Sequence, residues 1–349
     1  MDIELSQRSR AALQFLGATQ SFSGGVLQKN AAAEYDSLVP QPPLPLDERK
    51  TSVETTLADS SAWCFDRLLT RWVAEEAYVR ALPAVEEVGD ELAAWTAAQT
   101  PAGTLTLDPD VVAPQYWENG FHLAPGGWDG HELTGPAIHE LIFKYILTPG
   151  GVGAVQTGEN LNDQRSLAAR EAREDSYDRI VELGSGPGRF THALRRSYPD
   201  AKLTAVELST TSLVYGHALA GEAGYDIDWV QADAASTGLA DESADLVAAY
   251  TLMHEVPTAD NELILAEAFR LLAPGGDLLI SEVAPYNMHT AFRAVVLDWE
   301  TENRGEPFWR DALLMDLPGM LTRAGFTEIE AYGIGGGVHP WVTRARKPR

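Results

Sequence analysis

A single cysteine, Cys64, stands in a chain of 349 residues, so no internal disulfide framework staples this fold. Within "AWCFDRLLTRWV" that thiol reads as a buried structural group rather than a nucleophile. No run of about eighteen apolar residues occurs, and nothing reads as a bilayer span. Bases are scarce: 26 Lys and Arg stand against 51 Asp and Glu, a formal charge of −25, with no basic run as a local exception. Such a surface repels phosphate backbones and anionic lipid, so neither nucleic acid nor a membrane is an expected partner. The opening "MDIELSQRSRAAL" has acids where a secretory signal needs bases, and it lacks an apolar segment. A cytoplasmic protein is the expectation. No fixed-period repeat is visible.

What is present suffices for a full interior, at 45% hydrophobic residues. The length exceeds one ordinary core and predicts two domains: a mainly helical one over 1–155, a cap, dimerisation and substrate-lid domain, and an α/β one over 156–349. A first helix is expected near Ser6–Leu16. The proline-rich "LVPQPPLPLDERK" (Leu38–Lys50) should be extended. From Ser61 the pattern turns helical, with Phe65, Leu68, Leu69, Trp72 and Val73 on one face and Asp59 or Ser60 as cap. Further helices are expected through "VEEVGDELAAWTAAQ" and Ile138–Leu147. Their apolar faces need a cover, either the second domain or another copy of the chain in a homodimer. "LTPGGVGAVQTGEN" (Leu147–Asn160) reads as the hinge between domains.

Beyond a short helix in "LNDQRSLAAREARE", strands alternate with helices: "RIVEL", "KLTAVEL", "IDWVQA", "DLVAAYTL", "DLLISEV". That alternation predicts a parallel sheet covered on both faces. At the end, "FTEIEAYGI" and "HPWVTRARK" are separated by little more than "GGGV", so one terminal strand must run backwards.

Ligands in such sheets sit beyond the carboxyl ends of the strands, which puts the loop of "RIVELGSGPGRF" at the border of a site. Gly184, Gly186 and Gly188 give G-x-G-x-G. A dinucleotide fingerprint would need glycine where Arg189 stands, which argues against an NAD(P)-dependent oxidoreductase, and a P-loop's Gly-Lys-Ser/Thr is missing too. Three acids stand at successive strand ends. Glu182 can accept from an ammonium or from the turn itself, Glu207 stands where an acid takes both ribose hydroxyls, and Asp233 can accept from an exocyclic amine. Each also has a local reading: a turn cap, a charge at a helix N-terminus, a loop cap.

The motifs "VELGSGPGRF", "AVELS", "VQADA", "DLVAAYTLMHEV" and "LLAPGGDLLISEV" resemble, in order, those of the class I S-adenosylmethionine-dependent methyltransferases. The likeness covers roughly residues 161–347. It implies a Rossmann-like sheet of seven strands, the last antiparallel, with S-adenosylmethionine as cofactor. By the same resemblance Glu182, Gly184 and Gly186 border the amino-acid end of the cofactor, with Ser185 and Gly188 among the cofactor-binding residues of the same loop. Glu207 holds the ribose, with Leu208 beside it also cofactor-binding, Asp233 and Ala234 meet the adenine, and Tyr250 lies near the sulfonium. The loop would then serve a nucleoside without a phosphate.

Methyl transfer is a direct displacement, and a base is needed only when the acceptor must lose a proton. "YTLMHEVPTAD" is similar to the corresponding stretch of plant-type small-molecule O-methyltransferases, which implies His254 as general base with Glu255 beside it; the other reading is a histidine that only orders the loop, and Glu255 either orients His254 or is simply solvated. Without a histidine base, the same cofactor site would suit C-methylation; with no turnover at all, the chain would be a nucleoside-binding protein. "YWENGFHLAPGGWDGHEL" supplies Trp117, Phe121 and Trp128 as a substrate-facing lid, and "LDWETENRGEPFWRD" supplies Trp299, Phe308 and Trp309, with Glu302 or Arg304 at the rim. His122, Asp129 and His131 match no standard metal-site spacing, so no metal is expected. A hydrophobic small molecule of the natural-product type is the expected substrate.

Overall fold

The computed structural model describes residues 3–349 except 119, 152–154 and 156–158. Much of the hinge expected at 147–160 therefore lies outside the described residues. The strands are β1 (Leu105–Thr106), β2 (Arg179–Leu183), β3 (Lys202–Glu207), β4 (Asp228–Gln231), β5 (Ala244–Tyr250), β6 (Leu272–Glu282), β7 (Thr327–Gly333) and β8 (Trp341–Arg346). They form one sheet in the order β1-β4-β3-β2-β5-β6-β8-β7. β2 to β6 run parallel, and β8 is antiparallel to both neighbours, inserted between β6 and β7. The short connection after β7 cannot cross the sheet, so its successor has to turn back beside it.

Seven strands account for the sheet from residue 179 onward. The eighth, β1, is two residues from the N-terminal region laid parallel to β4, and nothing in "GTLTLDP" signals it. β2 and β5 are buried almost throughout because helices cover both faces, one core gathering around Trp229, Phe190 and Leu213 and the other around Leu265, Leu271 and Leu321. From β2 the chain winds outward through β3 and β4, then returns to the other side of β2 with β5. The switch point lies at the carboxyl ends of β2 and β5, where a crevice opens.

The N-terminal region builds α1 (Gln7–Phe22), α2 (Gln28–Leu38), α3 (Leu46–Thr56), α4 (Ser61–Glu86) and α5 (Gly89–Ala98). Ser6 caps α1 through Ser9 N, and Ser60 caps α4 through Trp63 N. The proline-rich segment is not extended throughout: Leu38 closes α2, only residues 39–45 are non-helical, with bends, and Leu46 opens α3, whose first turn carries Asp47 and Glu48.

The face expected to be buried on α4 is a correction. Phe65 and Leu68 are exposed, as is the Cys64 thiol, while Trp63, Asp66, Thr70, Val73 and Ala77 point inward. The reason is a buried polar cluster. Ser23 Oγ donates to Asp66 Oδ1 at 2.5 Å, Thr70 Oγ1 lies 3.2 Å from Ser23 Oγ, and Arg67 closes on Asp66. These bonds fix the rotation of the helix against its apolar preference.

The helices cover the α/β region. Leu13, Val73 and Ala77 share a core with Tyr215 and Leu219, and Tyr35, Val53 and Leu57 share another with Phe292, Val295 and Val296. Among the described residues no helix is long and apolar enough to cross a membrane.

Candidate active site

Two adjoining cavities occupy the crevice. One, of about 380 Å³, lies over the ends of β2 to β5; the other, of about 210 Å³, extends from it beneath the N-terminal helices. Trp128, Ile138, Phe143, Arg165, Tyr250 and Glu255 line both. Ile138 and Phe143 come from a π-helical stretch, Ala137–Leu147, whose wide turn forms part of the partition.

The larger cavity is floored by the glycine loop, held against β3 by Gly184 N and Ser185 N, which both donate to Val206 O. Glu207 clamps the turn: Oε2 accepts from Gly186 N at 2.7 Å, and Oε1 accepts from Leu208 N and Ser209 N at 2.8 and 2.9 Å. Its carboxyl is nevertheless pushed upward, because burial outweighs these donors. Thus the ribose and helix-terminus readings of Glu207 are compatible, since the same carboxylate ties the loop and faces the cavity. Burial also pushes Glu182 up to about 8, and its Oε2 has no partner among the described residues.

Gly186, at φ +52, has open space where a Cβ would stand, so the loop offers bare backbone to a guest. Gly188 serves a different purpose. At φ +91, a Cβ there would lie 2.5 Å from the Trp229 ring, and Gly188 does not line the cavity. Ser185, Leu208, Asp233, Ala234 and Tyr250 all line it. Asp233 is exposed and also caps its own loop through Ala235 N at 2.8 Å.

The smaller cavity carries a buried row of alternating charge. Glu282 Oε1 meets His254 Nδ1 at 2.6 Å, and His254 Nε2 lies 3.3 Å from Glu255 Oε1. Glu255 Oε2 meets His122 Nε2 at 2.7 Å, and His122 Nδ1 faces Glu306 Oε1 at 3.0 Å. Burial alone would lower both histidines, but the flanking carboxylates win: His122 rises to about 10 and His254 goes well above its ordinary value. Burial would likewise raise Glu255, yet the two imidazoliums hold it down to about 2. His122, Glu255 and Glu306 are close enough to suggest a cation site. The carboxylates, however, sit on opposite ring nitrogens, which satisfies an imidazolium and does not converge on one ion.

His122, Asp129 and His131 go to separate partners. Asp129 caps the helix Thr210–Ala223 through Thr210 N and Thr211 N, and His131 meets Glu86 at 2.9 Å. Of the aromatic candidates, Trp309 lines the smaller cavity with its ring 4.4 Å from that of His254, Trp128 lines both, and Trp117 lines the larger. Phe121, Trp299 and Phe308 line neither, which corrects their expected place. Phe121 is fully buried against Trp128, Trp299 stacks under Arg67, and Phe308 packs edge-on to Tyr116. Arg304 borders the smaller cavity, paired with Glu300 at 2.7 Å, whereas Glu302 is bound to Lys50 outside it.

Sequence reasoning passed over Arg165, Glu282 and Glu306. Glu282 had a signal, a carboxylate ending an apolar strand as Glu182 does, and Glu306 stands within the segment read as substrate-facing; Arg165 had none.

Residues 180–276 match the model of a family described as "Methyltransferase domain". Malonyl-[acyl-carrier protein] O-methyltransferase of Hahella chejuensis is 37% identical over 110 residues, 32% of this chain and 38% of its own length. A ubiquinone/menaquinone biosynthesis C-methyltransferase of Desulfotalea psychrophila is 30% identical over 121 residues, 35% of this chain and 48% of its own. The chain thus spans less than half the length of these two relatives. Phosphoethanolamine N-methyltransferase 2 of Haemonchus contortus, solved with S-adenosyl-L-methionine, aligns with 70% of this chain and 62% of its own, at 15% identity and a TM-score of 0.47.

Proposed function

We propose that this chain, whose C-terminal region is a class I S-adenosylmethionine-dependent methyltransferase domain, methylates a hydroxyl of an uncharged, largely apolar small molecule. The larger cavity suits that domain's cofactor: a buried carboxylate oxygen on Glu182, without a partner among the described residues, for an ammonium, bare backbone at Gly186, and Glu207 and Asp233 at successive strand ends. When bound, S-adenosylmethionine supplies an electrophilic methyl group. The protein's share is to align the acceptor and exclude water, effects that supply about 7–11 kcal/mol in well-oriented systems.

The single observation that carries the acceptor reading is the smaller cavity, where apolar walls from Ala77, Ile142 and Trp309 end on His254. Glu282 fixes Nδ1 as the protonated nitrogen, which leaves Nε2 to face the guest once its proton is lost. The 3.3 Å contact to Glu255 is the longest in the row, so an incoming hydroxyl displaces it most readily. Carboxylates crowd this cavity, the cations His122, His254 and Arg304 are each already paired with one, and Arg165, the further cation on its wall, stands at the partition shared with the cofactor cavity. An acidic acceptor would be repelled, and a neutral phenol or alcohol would not.

The test is turnover with labelled S-adenosylmethionine on a panel of neutral phenols and terpenoid alcohols, matched carboxylic acids and activated carbon acids. Methyl ethers from the neutral hydroxyls are expected. Turnover confined to carboxylic acids would overturn the acceptor class, and products methylated on carbon would move the reading to C-methylation without a histidine base.

A further inference from the structure

The partition between the cavities holds a charge that the row of carboxylates does not use. Arg165, on the helix Leu161–Ala169, is 8% exposed and lines both spaces. Its guanidinium lies 4.6 Å from the centre of the Tyr250 ring and 5.3 Å from that of Phe143, and its one hydrogen bond among the described residues runs from Nη1 to Leu161 O at 3.1 Å. No carboxylate pairs with it among the described residues. A buried cation without an anion is costly, and burial does depress this guanidinium.

The neighbours decide which anion would fit. Arg165 and Glu182 are close enough to act on one another electrostatically, yet no hydrogen bond joins them. A guanidinium and a buried carboxyl group thus both line the cofactor cavity, and the Tyr250 hydroxyl that lines it with them is also without a partner among the described residues. Arg189 lines the same cavity, but both of its terminal nitrogens are taken, Nη1 by Asn162 Oδ1 and Nη2 by His139 O, which leaves only the buried Nε without a partner among the described residues and no two-pronged face to offer. An amino-acid zwitterion matches the remaining pair, its ammonium toward Glu182 and its carboxylate toward a planar two-pronged donor.

We infer that Arg165 is the counter-ion for the α-carboxylate of the cofactor's methionine moiety, and thereby the residue that makes this site select the amino-acid nucleoside over one lacking that carboxylate. The inference rests on S-adenosylmethionine being the cofactor. It does not depend on which atom accepts the methyl group.

Calorimetric titration of the full chain tests it without turnover. Three probes serve: S-adenosylhomocysteine, its decarboxylated analogue that keeps the ammonium, and 5′-methylthioadenosine. The parent protein should bind S-adenosylhomocysteine about 10- to 100-fold more tightly than the decarboxylated analogue. Arg165→Met should erase that difference and leave methylthioadenosine within about twofold. Equal binding of the first two probes by the parent overturns the proposal, and this arm needs no variant to fold. Unchanged S-adenosylhomocysteine affinity in Arg165→Met, or equal losses for all three probes, overturns it as well. A parent protein that ignores every adenosine probe would instead sink the cofactor assignment itself.

Discussion

Replacing Glu207 with glutamine tests whether one carboxylate both builds the glycine loop and receives the cofactor. The carboxylate accepts from Gly186 N on one oxygen and from Leu208 N and Ser209 N on the other. Glutamine has one acceptor oxygen. Kept on Leu208 and Ser209, it turns its NH₂ toward the Gly186 donor at 2.7 Å, and the loop must open there. One charge-assisted bond is lost outright, a cost of about 1.5–3 kcal/mol, and two others become neutral. Removing a buried charge returns part of this, since burial already pushes the carboxyl upward. The net expectation is the lower half of that range, or about 10- to 50-fold in the dissociation constant of S-adenosylhomocysteine. Calorimetry reads the affinity, and a melting curve without ligand reads the loop's share of stability. A dissociation constant within twofold of the parent's, with a lowered melting temperature, would refute the binding role and leave Glu207 as a helix-terminus charge.

Other consequences follow from the same geometry. His254→Ala should lower turnover about 100-fold or more on a hydroxyl acceptor, and parental turnover would end the base assignment. Because His254 is raised well above its ordinary value, the parent's rate should climb with pH past neutrality, as the imidazolium gives up its proton; a rate flat from pH 6 to 9 would count against it. His122 is raised to about 10, so its stabilising share is complete below its unfolded value of 6.5 and lost as pH rises through 10. The melting temperature of the parent should accordingly fall more steeply between pH 7 and 10 than that of His122→Gln, and parallel curves would remove the ion row as the cause. Gly188→Ala forces a Cβ to 2.5 Å from the Trp229 ring at a φ of +91 and should cost about 1–3 kcal/mol in denaturant, with a shift in tryptophan emission. Parental stability would show that the turn relaxes freely.

What could be read from the sequence was whatever depends on residues near one another in the chain. The strand–helix alternation, the reversed terminal strand, the glycine loop and the acids Glu182, Glu207 and Asp233 all follow from local periodicity plus one rule about where parallel sheets open. The start of the first helix near Ser6 was legible too, and for α4 the choice of cap was narrowed to Asp59 or Ser60, of which Ser60 is used, since capping is a matter of three residues. The misreadings arose where distant segments compete for a surface. Helix α4 turned its Phe65 and Leu68 outward because Ser23, forty-three positions before Asp66, reaches it with a hydrogen bond. His122 and Glu306 lie in segments read as substrate-facing for their aromatics, and nothing along the chain signals that their charges pair; Arg165 lies on a helix whose sequence announces no site. Only folding sets His122 against Glu255 across 133 positions and leaves Arg165 in the partition between two cavities. Charge pairing in a buried space depends on separation through space, and no pattern along the chain encodes that distance.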